Sequence, residues 1–379
     1  QDNAYINQLD KALANNATVP ADERVDLFLA DFSFVKKYND SKYTLDLKND
    51  IGISEEDLVY QVPYVKQMGT NSKNQLKAVS WQACPGGLIY RRSIAKKLFG
   101  TDDPKKVQQY VSDWNKFNET AKKAKSAGFY MCAAPADSLR VFYDNIKAPL
   151  VDKNMNLDLS GLESWMDLAF EMSVNGYNMV EKYNDIGLWS YEWMEGMKDG
   201  SDVFCYFGPG WFYDFILGLA EDEKSGDWAV CKGPQGFSWG GSYIYAAAGS
   251  DNKELIYDIL YKLTCDTDVL NEIFTRRGDF VNHTEFMKSM SELSSFGDEV
   301  LGGQNPYKEL LDSALSVDKK NNVSAYDEEL FYMLETEMKP YFSFKAGGAL
   351  TKEQVRKDCL KNFYRRVKLT KPELNVPKL

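Results

Sequence analysis

Residues 228–264, WAVCKGPQGFSWGGSYIYAAAGSDNKELIYDILYKLT, constrain the fold more than any other stretch of the chain. Residues 228–231 form an apolar run of strand length. Gly233, Pro234 and Gly236 break it, as glycine and proline do. Phe237 and Trp239 follow among small residues, Ser238, Gly240, Gly241 and Ser242. Residues 243–248 resume as a strand of the buried type, closed by Gly249. Asp251 and Glu254 have the spacing of a capping box. Leu255, Ile256, Ile259, Leu260 and Leu263 then mark one face of a helix. The segment therefore predicts a strand, a glycine-rich aromatic loop, a second strand and a capped helix.

Large rings among glycines suggest a binding surface, because glycine leaves a ring face uncovered and lets a ligand approach the backbone. A pyranose, with apolar C–H faces edged by hydroxyls, suits such a face. The alternative is that Phe237 and Trp239 are core anchors where a strand bends.

A chain of 379 residues has room for two or three domains, each with its own core. Its net charge of −11 argues against a nucleic-acid surface and favours neutral or cationic partners. No apolar run approaches the roughly 18 residues of a membrane helix. The single histidine, His283, lies in the polar stretch VNHTEF and reads as a surface residue; one imidazole supports neither a histidine triad nor a multi-histidine metal site. The six cysteines lack CxxC spacing and most sit in apolar contexts, so they read as reduced, with Cys205 and Cys231 candidates for neighbouring strands. Neither GxxxxGK[ST] nor a strand-linked GxGxxG occurs, which leaves nucleotide binding without support. No metal or cofactor is expected.

In chain order, residues 5–13 predict a helix and 25–30 a strand, with Asp31 and Phe32 at its C-terminal end. Ligands gather outside such strand ends in open α/β sheets, so both residues are site candidates, with a helix cap as the alternative for Asp31. Residues 76–84 predict a strand bearing Trp81 and Gln82, interrupted by Pro85, Gly86 and Gly87. A helix starting at Asp113 and ending at Gly128 precedes a strand at 129–134. A loop with Asp137 then leads to a helix with Arg140, followed by an amphipathic helix at 162–176. Residues 203–215 predict a strand whose FGPG turn opens a helix. The remainder is helical, including 307–315, 328–334 and 353–366. Strands alternating with helices argue an α/β architecture.

The ordered series VDLFLADFSFVKKY, VSWQACPGGLIYRRSIAKKLFG, DWNKFNETAKKAKSAG, VFCYFGPGWF, GPQGFSWGGSYIYAAAGSDNKELIYDILYKLT, DFVN, LGGQN and VSAYDEEL resembles extracellular carbohydrate-binding proteins of ABC importers. The nearest type is the oligosaccharide-binding lipoprotein of gut Firmicutes, with maltose-binding proteins more distant. Such proteins usually open with a strand–helix–strand unit, a signal peptide and a lipidated cysteine, none of which is recognised ahead of residues 5–13. The resemblance therefore implies an incomplete first lobe, or a chain that starts inside the mature protein.

The resemblance implies a two-lobed α/β fold of the periplasmic-binding-protein (Venus flytrap) type with a multi-crossing hinge. Residues 1–84 and 246–295 would form one lobe and 88–241 and 300–379 the other, with hinge segments near 83–87, 240–245 and 293–300. It implies capture of an oligosaccharide, foremost a malto-oligosaccharide, in an interlobe cleft and delivery to the membrane permease. The protein would be monomeric, lipid-anchored on the extracellular face of the membrane, and without catalysis. Trp211, in GPGW, would be the sugar platform. Phe237, Trp239 and Gly240 would face the cleft, with Phe32, Trp81 and Trp189 as further apolar contacts. Asp31, Gln82, Asp137, Arg140, Tyr326 and Asp327 would meet hydroxyls. An intrahelical ion pair is the alternative for Asp137 and Arg140, a helix-capping role for Ser324 or Asp327, a core role for Trp189 and Trp193, and a plain turn for Gln304 and Asn305. A glycoside hydrolase is the competing class, with Glu192 and Glu195 as its carboxylate pair.

Overall fold

The computed structural model describes residues 4–217, 226–320, 322–345 and 349–378. Among them the strands are β1 (Leu27–Asp31), β2 (Ala78–Val79), β3 (Pro85–Arg91), β4 (Cys205–Pro209), β5 (Trp228–Cys231), β6 (Phe237–Ser238) and β7 (Ser242–Ala246). The chain divides into two compact units. The first comprises Gln1–Cys84, Gly240–Ser289 and Asp318–Lys320; the second comprises Pro85–Trp239, Met290–Val317 and Asn321–Leu379. Each unit is thus assembled from separate segments.

In the first unit β7 is central, antiparallel to β1 on one side and β2 on the other. Side chains of a strand alternate between faces, and Tyr245 and Ile244 divide accordingly. Tyr245 stacks on Phe28 at 5.0 Å between centroids, and its hydroxyl lies 2.8 Å from Asn39 Oδ1. Burying one such ring contributes about 1.5–3 kcal/mol. Ile244 and Ala246 pack on the other side with Leu47, Val79, Ile256 and Leu260. The last two come from the helix Lys253–Thr264. Its buried stripe is narrower than the sequence predicts, since Leu255 is exposed. The expected capping box does not form: Asn252 is the N-cap and makes no side-chain capping bond. Ser250 Oγ instead accepts from Asn252 N–H and donates to Asp26.

The second unit is built on β3, flanked by β4 and β5, with β6 pairing to its first residues, all antiparallel. Here the sequence expectation fails, because Pro85, Gly86 and Gly87 open the strand rather than interrupt it. Proline is tolerated as the first residue of a strand. A Cβ on Gly86 would lie 2.1 Å from the Phe237 ring, and one on Gly87 would lie 2.9 Å from the Cys231 carbonyl. Both glycines permit close packing. Of the predicted 76–84 strand only Ala78–Val79 forms. Residues 129–134 form no strand beyond a single Tyr130–Val203 bridge, and the Met131 amide bonds to the Tyr177 carbonyl. Cys205 and Cys231 flank β3 on opposite sides; the nearer partner of Cys205 is Cys132, with the sulfurs 3.9 Å apart. All six thiols are free.

Asp113 caps the helix Trp114–Ser126 through Lys116 N–H, as expected. A second apolar core joins the helices Glu163–Val174, Asp327–Phe342 and Lys352–Thr370. The middle helix continues well past residue 334, with Pro340 only in its last turn. No helix among the described residues is long and apolar enough to cross a membrane.

Candidate functional site

Three tryptophans converge in the second unit. β4 ends at Pro209, and the one-turn helix Gly210–Phe212 follows. Phe212 turns into the core, where its ring lies over Gly208; a Cβ there would come within 2.4 Å of it. That leaves Trp211 half-buried on the outer side. Its Nε1 donates to the Trp239 carbonyl at 3.1 Å, which fixes the indole against the segment after β6. The Trp211 and Trp239 rings meet edge to face at 5.4 Å. Trp189 completes the wall, 5.7 Å from Trp239 and nearly parallel to Trp211, at 13° and 6.4 Å. It is 44% exposed and has φ of 66°. Left-handed backbone at a bulky residue is strained by about 1–3 kcal/mol and persists only where its surroundings enforce it.

Behind the wall lies Trp193, 1% exposed, at 5.3 Å from Trp189. Its Nε1 donates to Asp137 Oδ1 at 2.6 Å, and Asp137 Oδ2 accepts from Ala134 N–H. Burial pushes the Asp137 carboxyl up to about 7, against the hydrogen bonds that hold it down. Arg140 makes a bidentate pair with Glu328, and its guanidinium lies 5.6 Å from the Trp239 ring centre and 5.1 Å from Phe331. Burial opposes its charge, but Glu328 holds the Arg140 pKa above the usual range. The arrangement is an apolar aromatic surface bordered by a neutralised cation, which suits stacking against an uncharged ring edged by hydroxyls.

The structure thus brings Arg140, Trp189, Trp211 and Trp239 together. Three other expected residues of this unit are enclosed. Phe237 is fully buried, with the Gly86 backbone over its ring, so the glycine covers the aromatic face rather than exposing it. Asp137 is committed to Trp193 and Ala134. Asp327 is buried and accepts from the Tyr143 hydroxyl at 2.6 Å and from Ser324 N–H; burial pushes it up to about 6, against those bonds. These carboxylates are spent on holding the fold, and the Arg140 ion pair reaches across the sequence to Glu328 rather than to Asp137. Tyr326 packs on the helical core with its hydroxyl 3.7 Å from the Met155 sulfur.

The remaining candidates lie in the first unit. Asp31 Oδ1 caps the turn after β1, accepting from Ser33 N–H and Oγ. Phe32 is buried, its amide donates to the Gly241 carbonyl, and Lys319 Nζ lies 5.6 Å from its ring centre. Trp81 packs at the edge of that unit's core, while Gln82 bridges to Val281. Gly240 has φ of 88°. His283 is half-buried, tilted against Tyr60 at 4.8 Å.

Sequence reasoning missed Glu328 and Phe331 as neighbours of Arg140, and no local signal in the sequence marks them. Of the hydrolase pair, Glu195 has its carboxyl lowered by the hydrogen bond from Lys198, which is not the raised acid that such a pair requires of one of its members. No group of three metal-ligating side chains occurs among the described residues.

No protein-family model and no curated protein matches the chain. Solved structures do. An extracellular solute-binding protein of family 1 superposes with a TM-score of 0.80 at 16% identity, over 96% of this chain and 90% of its own. The sugar-binding protein MalE of Xanthomonas citri gives 0.69 at 13%, over 97% and 89%. An ABC-transporter-associated binding protein of B. animalis subsp. lactis Bl-04, in complex with β-1,6-galactobiose, gives 0.65 at 16%, over 100% and 92%. The chain has the α/β fold of these solute-binding proteins.

Proposed function

We propose that the chain is an extracellular oligosaccharide-binding protein serving an ABC importer, and that it captures a neutral sugar on the wall formed by Trp189, Trp211 and Trp239. The observation that carries this reading is the wall itself: three indoles held edge to face and near parallel, with two of them half-buried and Trp189 more open, beside an arginine already neutralised by Glu328. The fold likeness to sugar-binding proteins supports it. A surface that offers aromatic faces with its cation paired favours uncharged pyranoses over uronates, because an added carboxylate would lose water without gaining an unpaired partner.

Arg140 supplies the hydroxyl contact at the wall's border. Within the first unit, exposed Asp31 and half-buried Gln82 are that unit's own candidates for hydroxyls. Malto-oligosaccharides are the first choice, ahead of xylo- and manno-oligosaccharides. The protein acts as a monomer at the outer face of the membrane, lipid-anchored, and delivers its ligand to permease subunits without altering it.

Calorimetry with maltotriose, xylotriose, mannotriose and a galacturonic acid trimer tests the proposal. Saturable heat with at least one neutral trisaccharide, and no reducing ends released, is expected. Tighter binding of the uronate, heat from none, or turnover of any would overturn it.

A further inference from the structure

Trp189 is held in place by one face of the helix Asp327–Phe342, and that attachment is made through backbone groups. The turn Gly187–Ser190 is closed by Ser190 N–H donating to the Gly187 carbonyl at 3.2 Å. Trp189 occupies the third position, where positive φ normally calls for glycine. A tryptophan there needs external support. It comes from three side chains spaced four apart on the helix and its C-cap, hence on one face. Ser343 Oγ donates to the Asn184 carbonyl at 2.8 Å, Lys339 Nζ donates to the Asp185 carbonyl at 3.1 Å, and Glu335 Oε1 accepts from Leu188 N–H at 2.9 Å. The loop therefore runs antiparallel to the helix, with its last rung one residue before Trp189.

The loop and helix border a shallow recess lined by Pro135, Ile186, Glu335 and Lys339. A Cβ on Gly187 would lie 2.8 Å from Glu335 Oε1, so the carboxylate sits directly against the turn. The same helix carries Glu328 and Phe331 at its start, against Arg140. One helix therefore reaches both ends of the tryptophan wall.

We propose that Glu335 is a positioning residue for sugar binding: through Leu188 it holds the strained turn that presents the Trp189 indole to the ligand. This rests on the proposed sugar-binding role of the wall. Lys339 and Ser343 extend the same support. Removing the acceptor frees the turn to relax to negative φ, which rotates the indole away from Trp211.

The experiment combines ligand affinity with a readout that needs no ligand. Protein labelled with 5-fluorotryptophan is prepared as wild type and as Glu335→Ala, Glu335→Gln and Lys339→Met, with Trp189→Phe assigning the Trp189 fluorine resonance. Glu335→Ala should shift that resonance while leaving that of core Trp165 in place. It should also weaken binding of the tightest of maltotriose, xylotriose and mannotriose by about five- to tenfold, the loss of one part-buried hydrogen bond. Glu335→Gln, which keeps an acceptor oxygen, should stay within about twofold of wild type. In a Trp189→Ala background Glu335→Ala should cost no further affinity. Lys339→Met removes the middle rung with Glu335 intact and should move the same resonance, which keeps the test open if Glu335→Ala does not fold. An unmoved Trp189 resonance in both variants, or an equal loss of affinity in the Trp189→Ala background, would overturn the assignment. If no trisaccharide binds wild type, the sugar-binding reading falls, while the resonance still decides whether Glu335 positions the turn.

Discussion

Trp211→Ala separates a ligand platform from a core residue within one variant. The indole is half-buried, donates one hydrogen bond to the Trp239 carbonyl, and touches Trp239 and Phe212 at 5.4 and 6.2 Å between centroids. Its truncation removes part of a large apolar side chain from contact, one hydrogen bond, and a face for stacking. The folding cost should be about 1–2 kcal/mol, below the 3–5 kcal/mol of a fully enclosed tryptophan. Trp193 supplies that upper reference in the same cluster, since it is 1% exposed and bonded to Asp137. Losing a stacked aromatic should cost about 1–3 kcal/mol of binding, or roughly 10- to 100-fold in affinity. Denaturant unfolding of the free proteins and calorimetry with the tightest neutral trisaccharide measure the two quantities. Trp193→Ala should lose more stability than Trp211→Ala, and Trp211→Ala should lose the affinity. If Trp211→Ala unfolds as easily as Trp193→Ala yet binds the sugar as wild type does, the platform assignment is refuted.

Glu328→Gln should destabilise the fold by about 2–3 kcal/mol, since it leaves Arg140 largely enclosed without its counter-charge; a paired Arg140→Met/Glu328→Met variant should lose less, as read by urea midpoints. Asp137 predicts a pH dependence of definite sign. Its carboxyl rises from 3.8 to about 7 on folding, so between those values the folded protein keeps a proton that the unfolded chain has lost. That contribution to stability is present below 3.8, declines as pH rises, and is gone above about 7. Asp137→Asn should therefore gain on wild type between pH 5 and 8, and a difference in melting temperature that is flat with pH would contradict it. Cys84, Cys132, Cys205, Cys231 and Cys359 are buried and Cys265 is half-buried, so iodoacetamide on the native protein should label Cys265 first by mass spectrometry.

The elements with strong local signals were legible from the sequence. Asp113 caps its helix, the strand after Gly241 forms the centre of a sheet, and the GPGW turn presents Trp211 beside a buried Phe212. What local reading missed was fixed by partners far along the chain. Phe237 sits among glycines in sequence, which suggests an open ring, yet the glycine that matters is Gly86 on the paired strand, and it closes the ring in. Arg140 had an acidic neighbour three residues away, but Asp137 was already held by Trp193, which left the arginine to Glu328, 188 residues on.

Trp189 shows the limit most clearly, and why the site depends on more than its aromatic content. A tryptophan in a GLWS stretch carries no sign of positive φ, because the residue that normally marks such a turn is glycine, and the glycine here stands two positions earlier. The conformation is set by a carboxylate on a helix nearly 150 residues downstream, accepting from the preceding amide. Local propensity and tertiary contact therefore conflict at this one position, where strain is tolerated because a rigid helix opposes it. A wall built only from favourable local conformations would turn the indole at residue 189 elsewhere. The wall's geometry thus belongs to the helix Asp327–Phe342 as much as to the tryptophans, and substitutions along that helix should alter sugar affinity without touching the sugar.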